Sequence, residues 1–376
     1  MRERHETLVT GRADGPRRVA FVIPHPYVDA LACFREPIRL LADEGWAIDL
    51  YTGSSPVHPA PFFGRENVRL VPVVMSRRGA IDLVGRLISR RPRYRFIVTV
   101  PQWGLHYSAI ASRLAGIPMG CISDELMAER EATTAEEREW KKRERRAHQR
   151  CRWTIALSQE RGDFIREENG LGPDHRIFVV PNAEPGASRR LKSRYFHDVL
   201  GLRCEQRLLL HAGSLWWKEA TALIESAQTW TNDWVVVIHG RFVASTNDWS
   251  DAAHVRFSRQ VLPAALLGYA VSSASIGLAL YDESRINNRL MSTASGKASL
   301  YMKNALPVIA TRAGGFDWLE REQCGVCVSS VSEIPAAADR IWTDYDRYVT
   351  NVRRYYDASL DFAPRFRPVA QLMAEG

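Results

Sequence analysis

The chain has 376 residues, which is more than one ordinary core accommodates and enough for two domains of about 150 to 200 residues each. Hydrophobic residues make up 45% and charged residues 25% of the sequence, and no run of about 18 uncharged apolar residues is present to span a bilayer. The formal charge of +8 favours phosphate-bearing partners or an anionic membrane surface without choosing between them.

The first 16 residues are polar and lack the apolar core of a secretory signal. We therefore expect residues 1–16 to be a disordered lead-in and the protein to be cytoplasmic, with peripheral attachment at the inner membrane face as an alternative. Six cysteines are scattered without a paired framework and are expected to be reduced. The motif from Cys324 to Cys327 has the apolar surroundings of a strand. A redox site would need the motif at the start of a helix, and a zinc site would need a second cysteine pair.

Short apolar runs alternate with helix-length segments along the N-terminal half. This pattern predicts a parallel sheet covered on both faces by helices. The predicted strands are 19–24, 47–52, 68–73, 96–100, 119–123, 154–158 and 176–181, and helices are predicted at 30–45, 105–116 and 159–169.

The alternation restarts after a basic, turn-rich stretch from Pro185 to Gln206. The sequence therefore predicts an α/β protein with two doubly wound, Rossmann-like domains, in which ligands bind at the carboxyl ends of the strands. The predicted strands of the second domain are 207–213, 234–240, 254–257, 275–281, 306–310 and 326–330, and its helices are 217–229, 262–272 and 296–305.

The segment from Glu136 to Arg150 is the densest run of charge in the chain. It predicts a solvated helix stabilised by ion pairs at i,i+4 spacing, with attachment to anionic lipid as the alternative. A separate cluster of aromatic residues near the C-terminus, from Trp342 to Tyr356, is expected to serve packing.

Two turns in the C-terminal half have the features of an anion site. Gly213 and Ser214 lie between a strand and a helix that carries Lys218 in its first turn, and Ser295, Gly296 and Lys297 open a second helix. Helix N-termini offer free N–H groups and a positive dipole, and glycine admits a phosphate close to the backbone. Gly314 and Gly315 open a third helix near the same edge. The arrangement suits a diphosphate, although no P-loop spacing is present.

The segment from Ser295 to Cys327 resembles the nucleotide-sugar signature of retaining GT-B glycosyltransferases, the group that includes sucrose and trehalose-phosphate synthases. The stretches LLLHAGSLWWKEATALIESA, SASIGLALYDES, SDEL and RIFVVPNA agree with that family in order, and the resemblance covers residues 17–376. It implies two Rossmann-like domains facing a central cleft: an acceptor domain at 17–185, a nucleotide-sugar domain at 186–362, and a C-terminal helix at 363–376 that returns to the first domain.

The resemblance also implies roles for individual residues. Lys218 and Lys297 would neutralise the donor diphosphate, and the backbone at Gly213 and Ser214 would approach it closely. The same resemblance places Ser295, Gly296, Gly314, Gly315, Asp282 and Glu283 around the donor. Many relatives carry two glutamates eight residues apart, whereas this chain has Ser292 and Leu300 at the corresponding positions.

In the N-terminal domain, relatives often have a histidine after the strand that follows an Ile-Pro pair. Here Asp124 and Glu125 occupy that place. A carboxylate there is suited to stabilising an oxocarbenium-like centre or accepting a proton, whereas the structural alternative for Asp124 is a helix cap. His25 and His106 also follow strands and are further candidates.

The sequence thus predicts a metal-independent glycosyltransferase that uses a UDP- or GDP-type nucleotide sugar and no cofactor. The one Asp-x-Asp pattern, Asp344 to Asp346, lies in a helical stretch and is not expected to bind metal. The acceptor is a glycan, a lipid-linked glycan or a small molecule. The alternatives are a nucleotide-sugar epimerase and a non-catalytic GT-B module that binds a nucleotide sugar. No nucleic-acid recognition motif is present.

Overall fold

The computed structural model describes residues 17–26, 28–53, 64–213, 218–231, 233–240, 251–260 and 262–375. Ser214 and the predicted lead-in at 1–16 therefore lie outside the described residues. Two parallel sheets, one in each half of the chain, dominate the architecture.

The N-terminal sheet has seven parallel strands in the order β3-β2-β1-β4-β5-β6-β7. The five inner strands are short runs in which almost every residue is buried, as expected for a sheet covered on both faces, and the two edge strands are more exposed. The strands are β1 Arg18–Ile23, β2 Ala47–Thr52, β3 Val68–Pro72, β4 Phe96–Thr99, β5 Met119–Ser123, β6 Trp153–Ala156 and β7 Arg176–Val179. The accompanying helices are α1 Ala32–Asp43, α2 Arg77–Ser89, α3 Trp103–Ala115, α4 Ala135–His148, α5 Gln159–Glu168 and α6 Tyr195–Val199.

The C-terminal sheet has six parallel strands in the order β10-β9-β8-β11-β12-β13. Its strands are β8 Arg207–Ala212, β9 Trp234–His239, β10 Val255–Ser258, β11 Ile276–Ala279, β12 Val308–Thr311 and β13 Gly325–Val328. Its helices are α7 Lys218–Ala227, α8 Ala264–Val271, α9 Ile286–Arg289, α10 Gly296–Lys303, α11 Asp317–Arg321, α12 Ile334–Thr343, α13 Tyr345–Tyr355 and α14 Phe362–Glu375. The predicted α/β class with two doubly wound sheets is confirmed.

In both sheets the strand order reverses at the first strand of the domain. The reversal lies between β1 and β4 in the N-terminal sheet and between β8 and β11 in the C-terminal sheet. In open parallel sheets ligands bind in the crevice outside this switch point. The fold therefore directs attention to the residues that follow β8 and β11 and to those that follow β1, β4 and β5.

The chain passes from one domain to the other twice, and the two connecting segments lie against each other. The ammonium group of Lys303 donates to the carbonyl oxygens of Pro185 (2.7 Å) and Ala187 (3.1 Å) in the linker, and Asp357 accepts from the Ser188 N–H at 2.6 Å. After the second crossing α14 packs against α1 and β7, and Arg95 donates to the carbonyl oxygen of Ala374 at 2.6 Å. The domain limits at 185 and 362 remain predictions.

The charge-rich segment forms a helix, α4, but it is less solvated than the sequence indicates. Lys141, Glu144 and His148 are buried, and Lys141 pairs with Glu144 at 3.0 Å. His148 contacts the hydroxyl of Thr154 at 2.7 Å and the amide of Asn169 at 2.9 Å. Burial lowers the pKa of His148 to about 3, so its ring is neutral. One side of α4 is therefore held by a buried polar network in place of an apolar face.

Two further predictions about local structure are confirmed. The motif around Cys327 forms β13, and all six cysteines are free. The aromatic residues near the C-terminus pack on other rings: Trp342 meets Trp234 edge-on with centroids 5.7 Å apart, and Tyr355 stacks on Trp318 at 4.6 Å. Across the described parts of the chain, no helix combines the length and the apolarity needed to cross a membrane.

Candidate active site in the cleft

The turn after β8 brings Gly213 against the side chain of Lys297. Gly213 has φ of +125°, and a Cβ atom at this position would lie 3.3 Å from Cε of Lys297. Glycine is therefore favoured here both by the backbone angle and by the close approach of the lysine stem. The two predicted phosphate-binding turns, one at Gly213 and one at Gly296, consequently meet in space.

The helix α10 begins at this meeting point and its N-terminus is capped by Ser295. The Ala298 N–H donates to Oγ of Ser295 at 3.1 Å, and the same hydroxyl shares a hydrogen bond of 2.7 Å with the phenol of Tyr281. The Ser295 hydroxyl is thus engaged within the protein, whereas Gly296 is exposed at the first position of the helix. The backbone of this turn, more than the serine side chain, is what an anion would meet.

The ammonium group of Lys297 lies inside the cleft wall. Its Nζ atom is buried and lies 5.0 Å from the centre of the Tyr281 ring. Burial lowers the pKa of Lys297 to about 8, and the charge of Glu219 in the first turn of α7 opposes that shift. Lys297 is therefore mainly protonated at neutral pH, and an anion bound beside it would raise its pKa. Lys218 lies in the first turn of α7, as predicted, but its side chain is outside the described part of the structure.

Asp282 and Glu283 follow β11 on the other side of the switch point. Asp282 accepts from the Ser284 N–H at 2.9 Å and from the amide of Asn288 at 2.8 Å. Burial alone would raise the pKa of Asp282, but these hydrogen bonds outweigh it and hold the pKa below its usual range. Glu283 is exposed. Asp282 therefore organises the turn that leads into α9, and Glu283 is the more accessible carboxylate of the two.

Gly314 and Gly315 lie after β12, next to the segment that precedes α10. A Cβ atom on Gly314 would meet the ring of Phe316 at 2.5 Å, and one on Gly315 would lie 3.8 Å from Cβ of Ser292. Ser292 is buried and has φ of +37°, an unusual angle for a residue with a side chain. Backbone strain of this kind is often found at functional sites. Leu300, the second position of the missing acidic pair, packs against the hydrophobic core.

The acidic turn after β5 forms the facing wall in the N-terminal domain. Burial and the neighbouring Glu125 raise the pKa of Asp124 to about 7, although backbone hydrogen bonds and Arg161 oppose the shift. Burial lowers the pKa of His25, and the charge of the exposed Glu125 opposes that effect. The structure thus brings Asp124, Glu125 and His25 into one electrostatic neighbourhood.

His106, the other histidine candidate, packs among aromatic side chains of α3 and α4. Its ring lies edge-on to Tyr107 with centroids 4.8 Å apart and edge-on to Trp140 at 6.0 Å. Burial lowers the pKa of His106, and the charge of Arg143 lowers it further. The structure therefore places His106 in an aromatic cluster with α4 instead of in the acidic turn.

Arg161 ties the acidic turn to the C-terminal domain. Its side chain is fully buried at the start of α5, where it donates to the carbonyl oxygen of Asp124 at 2.6 Å and to Oδ1 of Asn287 at 2.8 Å. It also donates to the carbonyl oxygens of Asn287 and Leu290, each at 3.3 Å. The Leu126 N–H completes the network by donating to Oδ1 of Asn287 at 3.0 Å.

Further hydrogen bonds across the cleft support the same juxtaposition. Glu131 accepts from the Ile286 N–H at 2.7 Å and pairs with Arg289 at 3.4 Å. Asn182, which ends the N-terminal half, accepts from the Cys33 N–H at 3.0 Å and donates to the carbonyl oxygen of Ala294 at 3.2 Å. The start of α1, the acidic turn and the segment before α10 are consequently held around one interdomain space.

Comparisons with known proteins agree with this architecture. Residues 216–359 match the family model described as "Glucosyltransferase 3-like, C-terminal domain". Solved structures that resemble the chain include Anabaena HepE in complex with UDP-glucose (TM-score 0.74, 13% identity, 96% of this chain and 100% of that chain covered). Sucrose-phosphate synthase from Thermosynechococcus elongatus is also similar (TM-score 0.70, 15% identity, 96% and 99% covered). A glycosyltransferase from Rickettsia africae has a TM-score of 0.71 at 11% identity, with 96% and 99% covered. The fold is that of the GT-B glycosyltransferases. No curated protein matches the sequence.

Two further residues near the cleft carry no signal in the sequence. Arg161 has no local signal, because its partners lie 37 to 129 positions away in the chain. Gln102 lies three residues after the end of β4 and immediately before α3, with φ of +50° and ψ of −95°, a strained conformation at the switch point of the N-terminal sheet. Strain is not visible in a sequence, but its place beside the crevice makes Gln102 a further candidate for contact with a ligand.

A cavity of about 440 Å³ adjoins the GT-B cleft between the two domains. Ser292 and Gly315 form part of its wall, and Glu160, Arg321 and Tyr355 contribute charged and aromatic groups. The cavity is of the size that small-molecule sites have in proteins. Its wall thus includes positions from both the acceptor domain and the nucleotide-sugar domain of the predicted organisation.

The Arg161 network gives a testable expectation for stability. We expect Arg161→Met to lower the free energy of unfolding by about 3 kcal/mol or more, because it removes a buried side chain and leaves three partly buried carbonyl oxygens without their donor. The melting temperature, measured by calorimetry, should fall by about 4 °C or more. Arg353→Met, at an exposed position on α13, is the matched control and should change the melting temperature little. Equal melting temperatures for both variants would contradict the importance of the network.

Proposed function

We propose that this protein transfers a glycosyl group from a UDP- or GDP-type nucleotide sugar to an acceptor held by the N-terminal domain, with retention at the anomeric carbon and without a metal. The observation that carries the proposal is the close approach of Lys297 to Gly213, which brings the turn after β8 and the N-terminus of α10 together at the switch point. The UDP and UDP-glucose named with the HepE structures, and the glucosyltransferase description of the matching domain, support a nucleotide-sugar donor.

The proposed diphosphate site uses fixed positive charge. Lys297 and the N–H groups at the start of α10 would bind one side of the diphosphate, and the turn of Gly213 and Ser214 with Lys218 would bind the other. As the bond between the anomeric carbon and the diphosphate oxygen breaks, its electron pair remains on the leaving diphosphate. A lysine and helix dipoles that are already in place stabilise this developing charge, which is the role a metal ion has in other transferases.

Asp124 is proposed to act on the sugar side of the breaking bond. An ionised carboxylate there would stabilise the oxocarbenium-like charge on the sugar or accept the proton of the acceptor hydroxyl as its oxygen bonds to the anomeric carbon. With a pKa of about 7, the group is close to the value at which a carboxylate is both available and basic near neutral pH. Glu125, Asp282, Glu283, Ser295, Gly296, Gly314 and Gly315 would line the remainder of the donor site.

A second candidate is binding of a nucleotide sugar without transfer. Leu300 favours it, because a leucine packed against the hydrophobic core cannot supply the carboxylate that many relatives carry at this position. A nucleotide-sugar epimerase on the same fold would release free nucleotide without any glycosylated product. The two alternatives and the transferase therefore differ in products and share the donor site.

The first test is a thermal-shift series with UDP, GDP, ADP and dTDP and their common sugars, with and without EDTA. A ligand at 100 times its dissociation constant stabilises a protein by about 2.7 kcal/mol. We expect UDP or GDP and its sugar to raise the melting temperature, equally in EDTA, and the selected donor to yield glycosylated product with a panel of acceptors. Stabilisation without product would support the binding module, and absence of stabilisation by every nucleotide would contradict the donor site.

A further inference from the structure

A corner of the N-terminal domain combines exposed apolar side chains with exposed arginines. Val74, Met75 and Ile81 are 69%, 57% and 75% exposed, and Arg77 and Arg78 lie between them. Single exposed apolar residues are ordinary on protein surfaces, but three within eight positions form a local patch that indicates a partner. We call residues 74–81 the rim patch, because they follow the carboxyl end of β3 at the cleft edge of the sheet.

Folding alone does not account for the composition of the rim patch. The face of α2 that packs on the domain consists of Ala80, Leu83 and Leu87, and Ile81 lies off that face. Asp82, the one carboxylate of α2, pairs with Arg86 at 2.8 Å instead of with an arginine of the rim patch. Arg77 and Arg78 are exposed, whereas Arg86 and Arg90 pair with Asp82 and Asp49. The rim patch therefore combines exposed apolar side chains with two exposed positive charges.

We propose that the rim patch docks the protein on an anionic lipid surface. Apolar side chains flanked by arginines match the two layers of such a surface, since the former enter the boundary between headgroups and acyl chains while the latter meet the lipid phosphates. The positive charges of Arg77 and Arg78 are complementary to an anionic leaflet. The occupant that the chemistry fits is thus a bilayer containing anionic phospholipid.

The helix α4, for which the sequence left lipid binding open, fits this role less well. Several of its charges are paired, with Arg143 on Glu139 at 3.0 Å and Arg145 on Glu129 at 2.6 Å. None of its large apolar side chains is exposed. Charge without apolar surface gives weaker and more readily screened attachment to a membrane. The rim patch is therefore a better candidate for the membrane contact than α4.

The location of the rim patch has a consequence for the acceptor, and this part rests on the proposed function. The patch follows β3 and Asp124 follows β5, so both lie at the carboxyl edge of the same parallel sheet. A bilayer docked at the rim patch would therefore lie at the edge onto which the acceptor side of the cleft opens. A lipid-linked acceptor would enter the cleft from that bilayer.

The test is co-flotation of the full chain with vesicles of phosphatidylcholine alone or mixed with phosphatidylglycerol. We expect binding only to the mixed vesicles, and weaker binding at 1 M salt, where the screening length falls to about 3 Å. Arg77→Gln with Arg78→Gln should weaken binding by about 25-fold, or about fivefold for each charge. Met75→Ser with Ile81→Ser should weaken it by about tenfold or more. Lys142→Gln with Arg146→Gln removes two exposed charges from α4 and should leave binding unchanged.

Several outcomes would overturn the proposal. Binding that is equal with and without phosphatidylglycerol, or that is lost in the α4 variant and kept in the rim-patch variants, assigns the contact elsewhere. A dimer that dissociates on Met75→Ser with Ile81→Ser, without vesicle binding by the parent protein, assigns the patch to a second copy of the chain. Each variant is checked by its melting curve and by its thermal shift with UDP or GDP, which reports the donor site separately from the membrane contact.

Discussion

Replacing Lys297 with alanine should lower the turnover number by about a hundredfold or more while the protein remains folded. Loss of one preorganised electrostatic donor typically costs about 3 to 4 kcal/mol in the transition state. Negative charge on the diphosphate grows as the glycosidic bond breaks, so the lysine contributes more to the transition state than to the bound donor. The measurement is the initial rate with saturating donor, accompanied by the dissociation constant of the nucleoside diphosphate.

Lys142→Ala is the matched control for this variant, because Lys142 is an exposed lysine of α4, remote in sequence from both turns. It should leave turnover unchanged. Removing the buried Lys297 ammonium is not expected to unfold the protein, since the cost of burying that charge is removed with it. A folded Lys297→Ala protein with the turnover and diphosphate affinity of the parent would contradict the placement of the donor site.

Replacing Asp124 with asparagine should also lower turnover by about a hundredfold, with little change in donor affinity. Both proposed roles of Asp124 need its ionised form, whose pKa lies at about 7. The turnover of the parent protein should therefore fall as the pH decreases below about 7, and the residual rate of Asp124→Asn should not follow that profile. Glu125→Gln, at the exposed neighbouring position, should have the smaller effect. Full turnover in both variants would make the acidic turn structural.

The raised pKa of Asp124 also predicts how the stability of the protein differs between the parent and Asp124→Asn. Because burial raises the folded-state pKa of Asp124 above its usual value of 3.8, its contribution to stability is present below that value and is lost as the pH rises through about 7. Asp124→Asn does not titrate, so it should be at least as stable as the parent at pH 8. The carbonyl oxygen that accepts from Arg161 is retained in this variant. A loss of turnover at pH 8 is then not explained by unfolding.

The sheets could be predicted from the sequence because parallel strands that are buried on both faces are continuous apolar runs. The run 207–213 became β8 and the run 96–100 became β4, each within a few residues. The turn at Gly213 was predicted from a strand-to-helix transition and the turn at Gly296 from the start of a helix, and β8 and β11 are neighbours in the sheet. Fold and approximate site location are thus encoded locally.

Other features could not be predicted because they depend on distant contacts. Helix α2 is an exception, because its buried residues Ala80, Leu83 and Leu87 have the helical spacing that a local pattern shows. The buried side of α4 is polar, and its partners Thr154 and Asn169 lie on other elements. The hydrogen bonds of Arg161 to the opposite domain depend on how the two domains face each other, which no local pattern records.

The central claim is that a nucleotide diphosphate binds between the turn of Gly213 and the start of α10. The most direct measurement is a crystal structure of the protein with the nucleoside diphosphate that gives the largest thermal shift. We expect the diphosphate to lie beside the N–H groups of Gly296 and Lys297, within hydrogen-bond distance of the Lys297 ammonium. A diphosphate bound elsewhere, for example in the cavity beside Tyr355, with the Gly213 turn empty, would contradict the account.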